Sequence, residues 1–279
     1  HSDLRRQRQM CIRDSGLGNA LTFPMAVGAS AILLEGPPEP ERINKIFLEE
    51  KPTLFFGVPT LFAMLLASDN LPTKDEHDVR LCISAGEPLP SDLLARWQGT
   101  FGVDILDGLG TTEMLHIFVS NRPDEITPGS TGRVVPGYQI RLINDNNEVC
   151  APGEMGVLEV SGPSSALMYW GQRQKTKDTF KGTWTRTGDN YSISEKGVMT
   201  YGGRNDDMLK VGGIYVSPFE VETALIKHEA VLEAAVVGNN DQDGLVKPKA
   251  FIVLNKNFTG SDELASELIN FVKTNLAEY

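Results

Sequence analysis

Short apolar runs alternate with helical patterns through the first part of the chain, and this alternation constrains the fold more than any other feature. Ile43, Ile46 and Phe47 lie on one face of a predicted helix, and Ser91 is placed to cap another. The apolar runs between these helices end at Gly, Pro or charged residues, as buried parallel strands do: 31–35, 53–58, 80–84 and 103–106. Such alternation is typical of a parallel sheet with flanking helices. We therefore predict an α/β lobe over residues 16–126.

The pattern changes near residue 127 to strands separated by tight turns. YQIRLI and GVLEVSG are examples, and they predict a small, mostly antiparallel, β-barrel-like subdomain over 127–203. An α+β piece follows over 207–279, where Ser217, Pro218 and Glu220 have the spacing of a helix capping box. Its last helical pattern reaches Tyr279 without a Gly, Asn or Pro to end it. We therefore expect a truncated C-terminal domain.

Charge and cysteine content narrow the classes of partner and compartment. With 26 Lys and Arg against 37 Asp and Glu, the net charge of −11 argues against a nucleic-acid or anionic-membrane partner. No apolar run approaches the roughly 18 residues that a membrane-spanning helix needs. Three scattered cysteines, Cys11, Cys82 and Cys150, are typical of a reduced protein of the cytoplasm.

Several familiar site patterns fail on inspection. The segment 239–244 begins like a calcium loop, but Ala250 stands at the twelfth position, where a bidentate Glu belongs. There is no G-x-S-x-G sequence, and the four histidines are too dispersed to indicate a triad or a zinc site. The GLGTTE sequence lacks the third glycine of a dinucleotide fingerprint.

Four polar segments remain: AGEPLP (85–90), DGLGTTEM (107–114), RTGD (186–189) and GRNDD (203–207). The first two follow predicted strands, and ligands of open α/β sheets bind beyond the carboxyl ends of strands. The glycines of 107–114 let a flat ring or a phosphate come close to the backbone. The hydroxyls of Thr111 and Thr112 suit phosphate oxygens, and Glu113 suits Mg²⁺. The alternative is a strand-end turn with polar caps.

Asp189 and Arg204 have side chains that suit the sugar of a nucleotide. The carboxylate of Asp189 offers two acceptor oxygens for the two hydroxyls of a ribose. Arg204 offers a planar fork of donors for ribose or phosphate oxygens. The alternatives are an Asp in a β-turn and an Arg in a surface salt bridge. The four segments together, in this order and spacing, favour a nucleotide site.

In this order the segments resemble the adenylate-forming superfamily, which includes acyl- and aryl-CoA synthetases, peptide-synthetase adenylation domains and beetle luciferases. The resemblance covers nearly all of 16–279. GLGNALTFPMAVGA, FFGVPTLFAMLL, ISAGEPLP and DGLGTTEMLHIFVSN are most similar to the benzoate–CoA ligase group. The resemblance implies that ATP, with Mg²⁺, activates an aromatic or other carboxylic acid as an acyl-adenylate. Coenzyme A then takes up the acyl group as a thioester.

The resemblance also implies roles for individual residues. Thr112 would contact phosphate, Glu113 would hold Mg²⁺, and Asp189 and Arg204 would bind the ribose. Many relatives carry an aromatic residue at Leu109, which implies weaker adenine stacking here. The residues implied for the adenine site are Gly86, Glu87, Pro88, Asp107, Gly108 and Leu109. Those implied for the acyl pocket are Gly108, Leu109, Gly110, His116 and Ile117, with a packed core histidine as the alternative for His116.

The glycine-rich segment 201–213 would be a joint. In the family the small domain rotates between the two half-reactions, and the resemblance places the hinge over 204–206 at Asp206. Lys210 would then face the reaction centre, with Gly212 and Gly213 giving clearance for the pantetheine arm of coenzyme A.

Two elements of the family pattern have no match here. The phosphate loop of the family lies upstream of the region that matches Gly16, and residues 1–15, which carry four arginines without periodicity, are interpreted as a non-native leader. The late catalytic lysine lies beyond the region that matches Tyr279. We therefore expect a catalytically impaired aryl-CoA ligase fragment, with a homodimer as a candidate assembly. The alternatives are a ligase or carrier-loading domain for another acid, and a non-catalytic nucleotide-binding or interaction module.

Overall fold

Parallel pairing forms the centre of the first sheet. In the computed structural model, which describes residues 16–211, 214–240 and 246–276, the three parallel strands are β1 (Leu54–Gly57), β2 (Leu81–Ala85) and β3 (Ile105–Gly110). The antiparallel strands β4 (Ile117–Ser120) and β5 (Arg133–Val134) extend the order to β1-β2-β3-β4-β5. The α/β prediction is confirmed, but the sheet is mixed. The return from β3 to β4 is too short for the crossover that a parallel neighbour requires.

Helices on this sheet enclose an aromatic core. A π-helical turn, Gly18–Thr22, leads into α1 (Phe23–Val27), and α2 (Pro40–Glu49), α3 (Pro59–Leu66) and α4 (Ser91–Phe101) follow. Ile43 and Phe47 are buried, as their helical spacing predicted. The prediction that Ser91 caps α4 is wrong. Pro90 holds the cap position in extended backbone, and no side chain caps the helix, because Ser91 is already its first residue.

The strand predicted at 31–35 is not formed. The sheet ends at β1, and in the described part of the chain no strand pairs with 31–35. Ile32 is 47% exposed and Leu33 is 76% exposed, while Leu34 packs on the aromatic core of the first sheet. A β-strand needs a hydrogen-bonded neighbour, so apolar composition alone does not make this segment one.

The second sheet is antiparallel, as its alternating pattern predicted. Its order is β10-β9-β7-β6, with β8 paired to β9 at one side. The strand path does not close, so the β-rich unit is an open sheet within the described residues. The elements are β6 (Gln139–Ile143), β7 (Met155–Ser161), α5 (Arg173–Thr179), β8 (Phe180–Lys181), β9 (Trp184–Ile193) and β10 (Met199–Arg204).

Two hairpins and two helices make up the last part of the chain. The elements are β11 (Leu209–Val211), β12 (Ile214–Val216), α6 (Pro218–Ile226), β13 (Val231–Asn240), β14 (Val246–Leu254) and α7 (Asp262–Asn275). Ser217 Oγ accepts a hydrogen bond from the Glu220 backbone N–H, which confirms the predicted cap of α6. The same hydroxyl donates to the Gly202 carbonyl oxygen at 2.7 Å, so the cap also touches β10.

Two composition-based predictions can be compared with the described residues. Cys82 and Cys150 are free thiols, while Cys11 lies outside the described ranges. No helix there is both long enough and apolar enough to cross a membrane.

Trp97 offers a test of the first core. Its side chain is fully buried, and its ring centroid lies 4.8 Å from that of Phe62 and 4.4 Å from that of Phe101. Trp97→Ala should lower the free energy of unfolding by about 3–5 kcal/mol, because it removes buried surface and leaves a cavity. The measurement is urea unfolding followed by circular dichroism.

Trp170→Ala is the matched control, since the same change is made where the side chain is 93% exposed. Its unfolding free energy should stay within about 0.5 kcal/mol of the parent. Equal losses in the two variants would contradict the assignment of Trp97 to the core.

Candidate functional site

The segment 86–88 lies beside the end of β3. Ala85 of β2 pairs with Gly108, so the chain leaves β2 level with the first glycine of the 107–114 segment. Gly86 adopts a φ of 91°, which favours glycine. Glu87 Oε2 accepts hydrogen bonds from the backbone N–H of Thr60 at 3.3 Å and from its hydroxyl at 2.8 Å. The carboxylate of Glu87 therefore contacts the first turn of α3.

Asp107 is a buried carboxyl with a strongly perturbed pKa. Burial raises the pKa to about 7, against smaller opposing effects of the Gly108 and Leu89 backbone N–H groups and the Thr131 hydroxyl. Asp107 is 6% exposed, and its Oδ1 has no hydrogen-bond partner among the described residues. Buried polar atoms are usually hydrogen-bonded, so this oxygen is suited to a donor from a ligand.

The turn after β3 reverses the chain within a few residues. A Cβ at Gly110 would lie 2.7 Å from the backbone of His116, so only glycine fits there. Leu115 has φ 71° and ψ −48°, and the His116 N–H donates to the Met114 carbonyl oxygen at 2.9 Å. These values describe a γ-turn of the rare, strained positive-φ type.

Two polar side chains of this turn face different surroundings. Thr111 Oγ1 is buried, and within the described ranges it has no hydrogen-bond partner. The carboxylate of Glu113 accepts a hydrogen bond from the Tyr169 hydroxyl. The backbone carbonyl oxygen of Glu113 accepts one from the Ala166 N–H at 2.7 Å. The segment that leads into α5 therefore fixes the position of Glu113.

Asp189 and Arg204 face each other across two paired strands. They are register partners in β9 and β10, and Arg204 Nη1 donates to Asp189 Oδ1 at 3.0 Å. The Asp189 side chain is 9% exposed and that of Arg204 is 47% exposed. Burial raises the pKa of Asp189, and the Arg204 guanidinium opposes that rise. The pair is thus a half-buried ion pair.

The structure brings the acidic residues of both sheets into one region. The Glu113 carboxylate is close enough to raise the pKa of Asp189. Thr131 interacts with Asp107 and shares a 3.2 Å hydrogen bond with the buried Tyr191 hydroxyl. Asp189 and Asp107 both add to the effect of burial in raising the pKa of Tyr191. Residues far apart in the sequence are therefore close enough to interact where the two sheets meet.

Two of the larger residues expected at the acyl pocket, His116 and Ile117, lie next to the glycines of β3. Ile117 packs against Gly108, where an added Cβ would meet its Cδ1 at 2.8 Å. His116 lies beside Gly18, Asn19 and Phe23 of the first helical segment. The backbone of His116 touches Gly110.

The remaining expected residues are placed only in part. Asp206 lies in a short 3₁₀ turn, Asn205–Asp207, directly after Arg204. Lys210 is in β11, opposite Tyr215 of β12. Gly212 and Gly213 lie outside the described residues.

The donor set limits how a metal ion would bind. Among the described residues, no group of three or more His, Cys, Asp or Glu could hold a metal ion. Mg²⁺ is usually held by one or two carboxylates together with phosphates of the substrate. Glu113 fits that mode of binding and does not fit an all-protein cage.

A cavity of about 220 Å³ lies beside β4 and β5. Arg133 and Glu125, which line it, form an ion pair at 3.2 Å. None of the candidate residues lines this cavity.

Several residues that shape the region were missed by sequence reasoning. Thr131 and Tyr191 come from loops and strands without any distinctive pattern. Leu115 was missed because a strained turn leaves no signal in residue type. Tyr169 could have been found by one weak signal in the sequence. It stands next to Trp170, and the two form an aromatic pair within a polar segment.

Comparison with protein families shows the class of this protein. The model of the AMP-binding enzyme family matches residues 12–170, and the model of its C-terminal domain matches residues 220–279. The chain belongs to the AMP-binding, adenylate-forming enzyme family. This confirms the resemblance stated from the sequence.

Individual relatives narrow the resemblance to aryl-CoA ligases. The chain is 54% identical to the benzoate–CoA ligase of Thauera aromatica over 265 residues, which is 95% of this chain and 50% of the relative. A benzoate CoA ligase from Burkholderia xenovorans LB400 has a similar structure, with a TM-score of 0.89 and 50% identity, over 96% of this chain and 54% of that one. An anthranilate CoA ligase, AuaEII, in complex with anthranoyl-AMP has a TM-score of 0.87 and 42% identity, over 96% and 52%. The chain spans about half the length of the curated relatives it matches.

The raised pKa of Asp107 predicts a pH-dependent stability. Its folded-state pKa of about 7 exceeds the usual value of 3.8, so the folded protein keeps a proton that the unfolded chain has lost. Stability should therefore fall as the pH rises from about 4 to about 7. Asp107→Asn should match the parent near pH 4 and be more stable near pH 8, by about 2–4 kcal/mol. Urea unfolding at both pH values measures this.

Asp145→Asn, in the exposed turn after β6, removes the same charge and serves as the control. If the difference between Asp107→Asn and the parent were the same at both pH values, Asp107 would not be the titrating group.

The γ-turn at Leu115 predicts that glycine is preferred there for stability. A residue held at this positive φ is strained by about 1–3 kcal/mol, and Leu115 is 57% exposed, so its packing contributes little. Leu115→Gly should therefore raise the unfolding free energy by up to about 1 kcal/mol, after the entropy of glycine in the unfolded chain is subtracted. Thermal and urea unfolding measure the change.

Val237→Gly is the control, because Val237 is also exposed, at 46%, but is regularly paired with Lys249 in strand β13. It should lose about 1 kcal/mol, because glycine weakens a strand. If Leu115→Gly lowered the unfolding free energy as the control does, the backbone at Leu115 would not be strained.

Proposed function

We propose that this chain carries the nucleotide site of an ATP-dependent ligase that joins an aromatic carboxylic acid to coenzyme A. Two buried polar atoms support this most directly, Asp107 Oδ1 and Thr111 Oγ1, which lack partners among the described residues. An acceptor and a hydroxyl on one strand-end segment suit the amino group of a base and a phosphate oxygen. The high identity to benzoate–CoA ligases supports the class of acid.

The proposed reaction has two steps that use the same acyl group. The carboxylate of the acid attacks the α-phosphorus of ATP, and pyrophosphate leaves. The thiolate of coenzyme A then attacks the acyl carbon, and AMP leaves. The first step is needed because a carboxylate is a poor electrophile, whereas AMP is a good leaving group.

The candidate residues divide this work by chemistry. Thr112 and Thr111 would donate to phosphate oxygens, and Asp189 with Arg204 would bind the ribose hydroxyls. Mg²⁺, when bound, would neutralise phosphate charge beside Glu113. The Tyr169 hydroxyl already orients that carboxylate. Gly86, Pro88 and Leu109 would line the base, and Ile117 and His116 would border the acid.

Domain rotation is part of the proposal. We place the hinge over 204–206, between a large unit that ends with β10 and a small unit over 207–279. Asp206 suits a hinge because a carboxylate is stable in water in either orientation, and Lys210 with Gly212 and Gly213 would approach the thioester-forming site. A cytoplasmic location fits the use of ATP and coenzyme A, and a homodimer is the proposed assembly.

A binding experiment tests the proposed site. Calorimetric titration of the chain with a non-hydrolysable benzoyl-adenylate analogue should give tighter binding than AMP alone or an acetyl-adenylate analogue. Asp189→Asn should weaken binding of the benzoyl analogue by about tenfold or more, because a charged partner of the ribose is lost. Glu113→Gln should matter less here, since the analogue carries no pyrophosphate or metal.

Asp145→Asn is the matched control and should bind like the parent. The absence of any adenylate binding would refute the site. Equal binding of all three ligands would favour the nucleotide-binding module instead. Preference for the acetyl analogue would point to a ligase for another acid.

A further inference from the structure

His116 is held by a segment almost a hundred residues away in the sequence. We propose that Asn19 is a positioning residue that fixes the ring of His116 in the acyl pocket and so favours flat aromatic acids. The part about acid selection rests on the proposed function, whereas the positioning of the ring does not.

The central contact is a hydrogen bond between two side chains. His116 Nε2 lies 3.1 Å from Asn19 Oδ1. An amide carbonyl oxygen can only accept, so His116 donates from a protonated Nε2. This contact fixes both the tautomer and the rotation of the imidazole ring.

The fit around the ring leaves little freedom. A Cβ at Gly18 would lie 2.7 Å from Cδ2 of His116, closer than any side chain allows. The Phe23 ring meets the imidazole edge to face, with centroids 4.6 Å apart and planes at 76°. One short segment therefore supplies the hydrogen bond, the clearance and the aromatic contact.

Both backbone segments that meet at this contact are irregular. Asn19 lies in the π-helical turn Gly18–Thr22, where the Phe23 N–H donates to the Gly18 carbonyl oxygen. His116 directly follows the strained turn at Leu115. Single π-helical turns and strained residues occur preferentially at functional sites, where they aim a side chain.

The other described histidines are held at both ring nitrogens. Nδ1 of His77 accepts the Val79 N–H, and Nδ1 of His228 accepts the Ala230 N–H, each from two residues along the chain. Their Nε2 atoms contact more distant groups, the Phe101 carbonyl oxygen at 3.1 Å and the Glu267 carboxylate at 3.3 Å. His116 differs in the chemistry of its Nε2 partner, which is the neutral side-chain amide of Asn19.

A fixed imidazole favours planar ligands over flexible ones. Aromatic rings pack on one another in a few offset or edge-to-face arrangements, and a ring that rotates loses that preference. Gly110, which touches the backbone of His116, adds no side chain to the space. The pair of Asn19 and His116 therefore supplies a flat, immobile wall.

The first test is spectroscopic and needs no ligand. Long-range ¹H–¹⁵N correlation spectra of protein labelled at histidine should show His116 protonated at Nε2, with its signals assigned from His116→Gln. Asn19→Leu should shift His116 toward a mixture of tautomers, and Asn19→Asp, which keeps an acceptor oxygen, should restore the parent pattern. The signals of His77 and His228 should not move in either variant.

The second test is binding selectivity. Asn19→Leu should weaken the benzoyl-adenylate analogue by about three- to tenfold, the usual effect of one lost hydrogen bond, and leave the affinity for AMP within about twofold. Asn19→Ala needs less space and should give the same result if Asn19→Leu does not fold. Asn270→Leu, on an exposed part of α7, is the matched control and should bind like the parent.

An unchanged His116 spectrum in Asn19→Leu and Asn19→Ala would overturn the positioning role, whatever binds. A changed spectrum with equal losses for the benzoyl analogue and AMP would overturn the role in acid selection. If the parent binds no adenylate, the proposed function fails, and the spectra alone still decide whether Asn19 holds His116.

Discussion

The short return from β3 to β4 is the constraint on which the candidate site depends. The chain must reverse between Gly110 and Ile117 while keeping both ends in one sheet. The turn does so with a glycine where the two backbones touch and with a positive φ at Leu115. The reversal leaves the Thr111 Oγ1 atom buried and Glu113 against Tyr169. Chemistry-bearing groups are thus placed by backbone geometry before any ligand is present.

Burial gives these groups their unusual electrostatics. Asp107 and Asp189 sit where two sheets meet, and burial raises the pKa of both carboxyls. Their neighbours stabilise the charges of the two carboxylates to different extents. Asp189 has a guanidinium partner, whereas Asp107 has only weak dipolar donors, so a charge on Asp107 is the more costly one. Because the Asp107 carboxyl is unfavourable without a ligand, a ligand that donates a hydrogen bond to it would gain more binding free energy.

The sequence predicted much of this arrangement, but unevenly. The helical spacing of Ile43 and Phe47 and the alternation of β6 to β10 led to the right elements, because periodicity reflects burial directly. The strand at 31–35 failed because pairing depends on a neighbour that local composition cannot supply. The predicted cap at Ser91 was wrong by one position, since the helix already begins at that residue. Candidate residues such as Asp189 and Glu113 were selected by their chemistry, whereas Asn19, Thr131 and Leu115 act through contacts or backbone angles that residue types do not record.

The hydroxyl of Ser217 ties the start of α6 to the end of β10. It completes the helix cap and also reaches the Gly202 carbonyl oxygen, in space that Gly203 leaves open at a φ of 108°. An added Cβ at Gly203 would come within 2.9 Å of that hydroxyl, and the rings of Tyr201 and Phe219 meet at 5.0 Å beside it. The Ser217 hydroxyl therefore links the two sides of the proposed hinge. Rotation about 204–206, as proposed, would have to break its hydrogen bond to Gly202, so the chain should switch between discrete orientations and not move through a continuum.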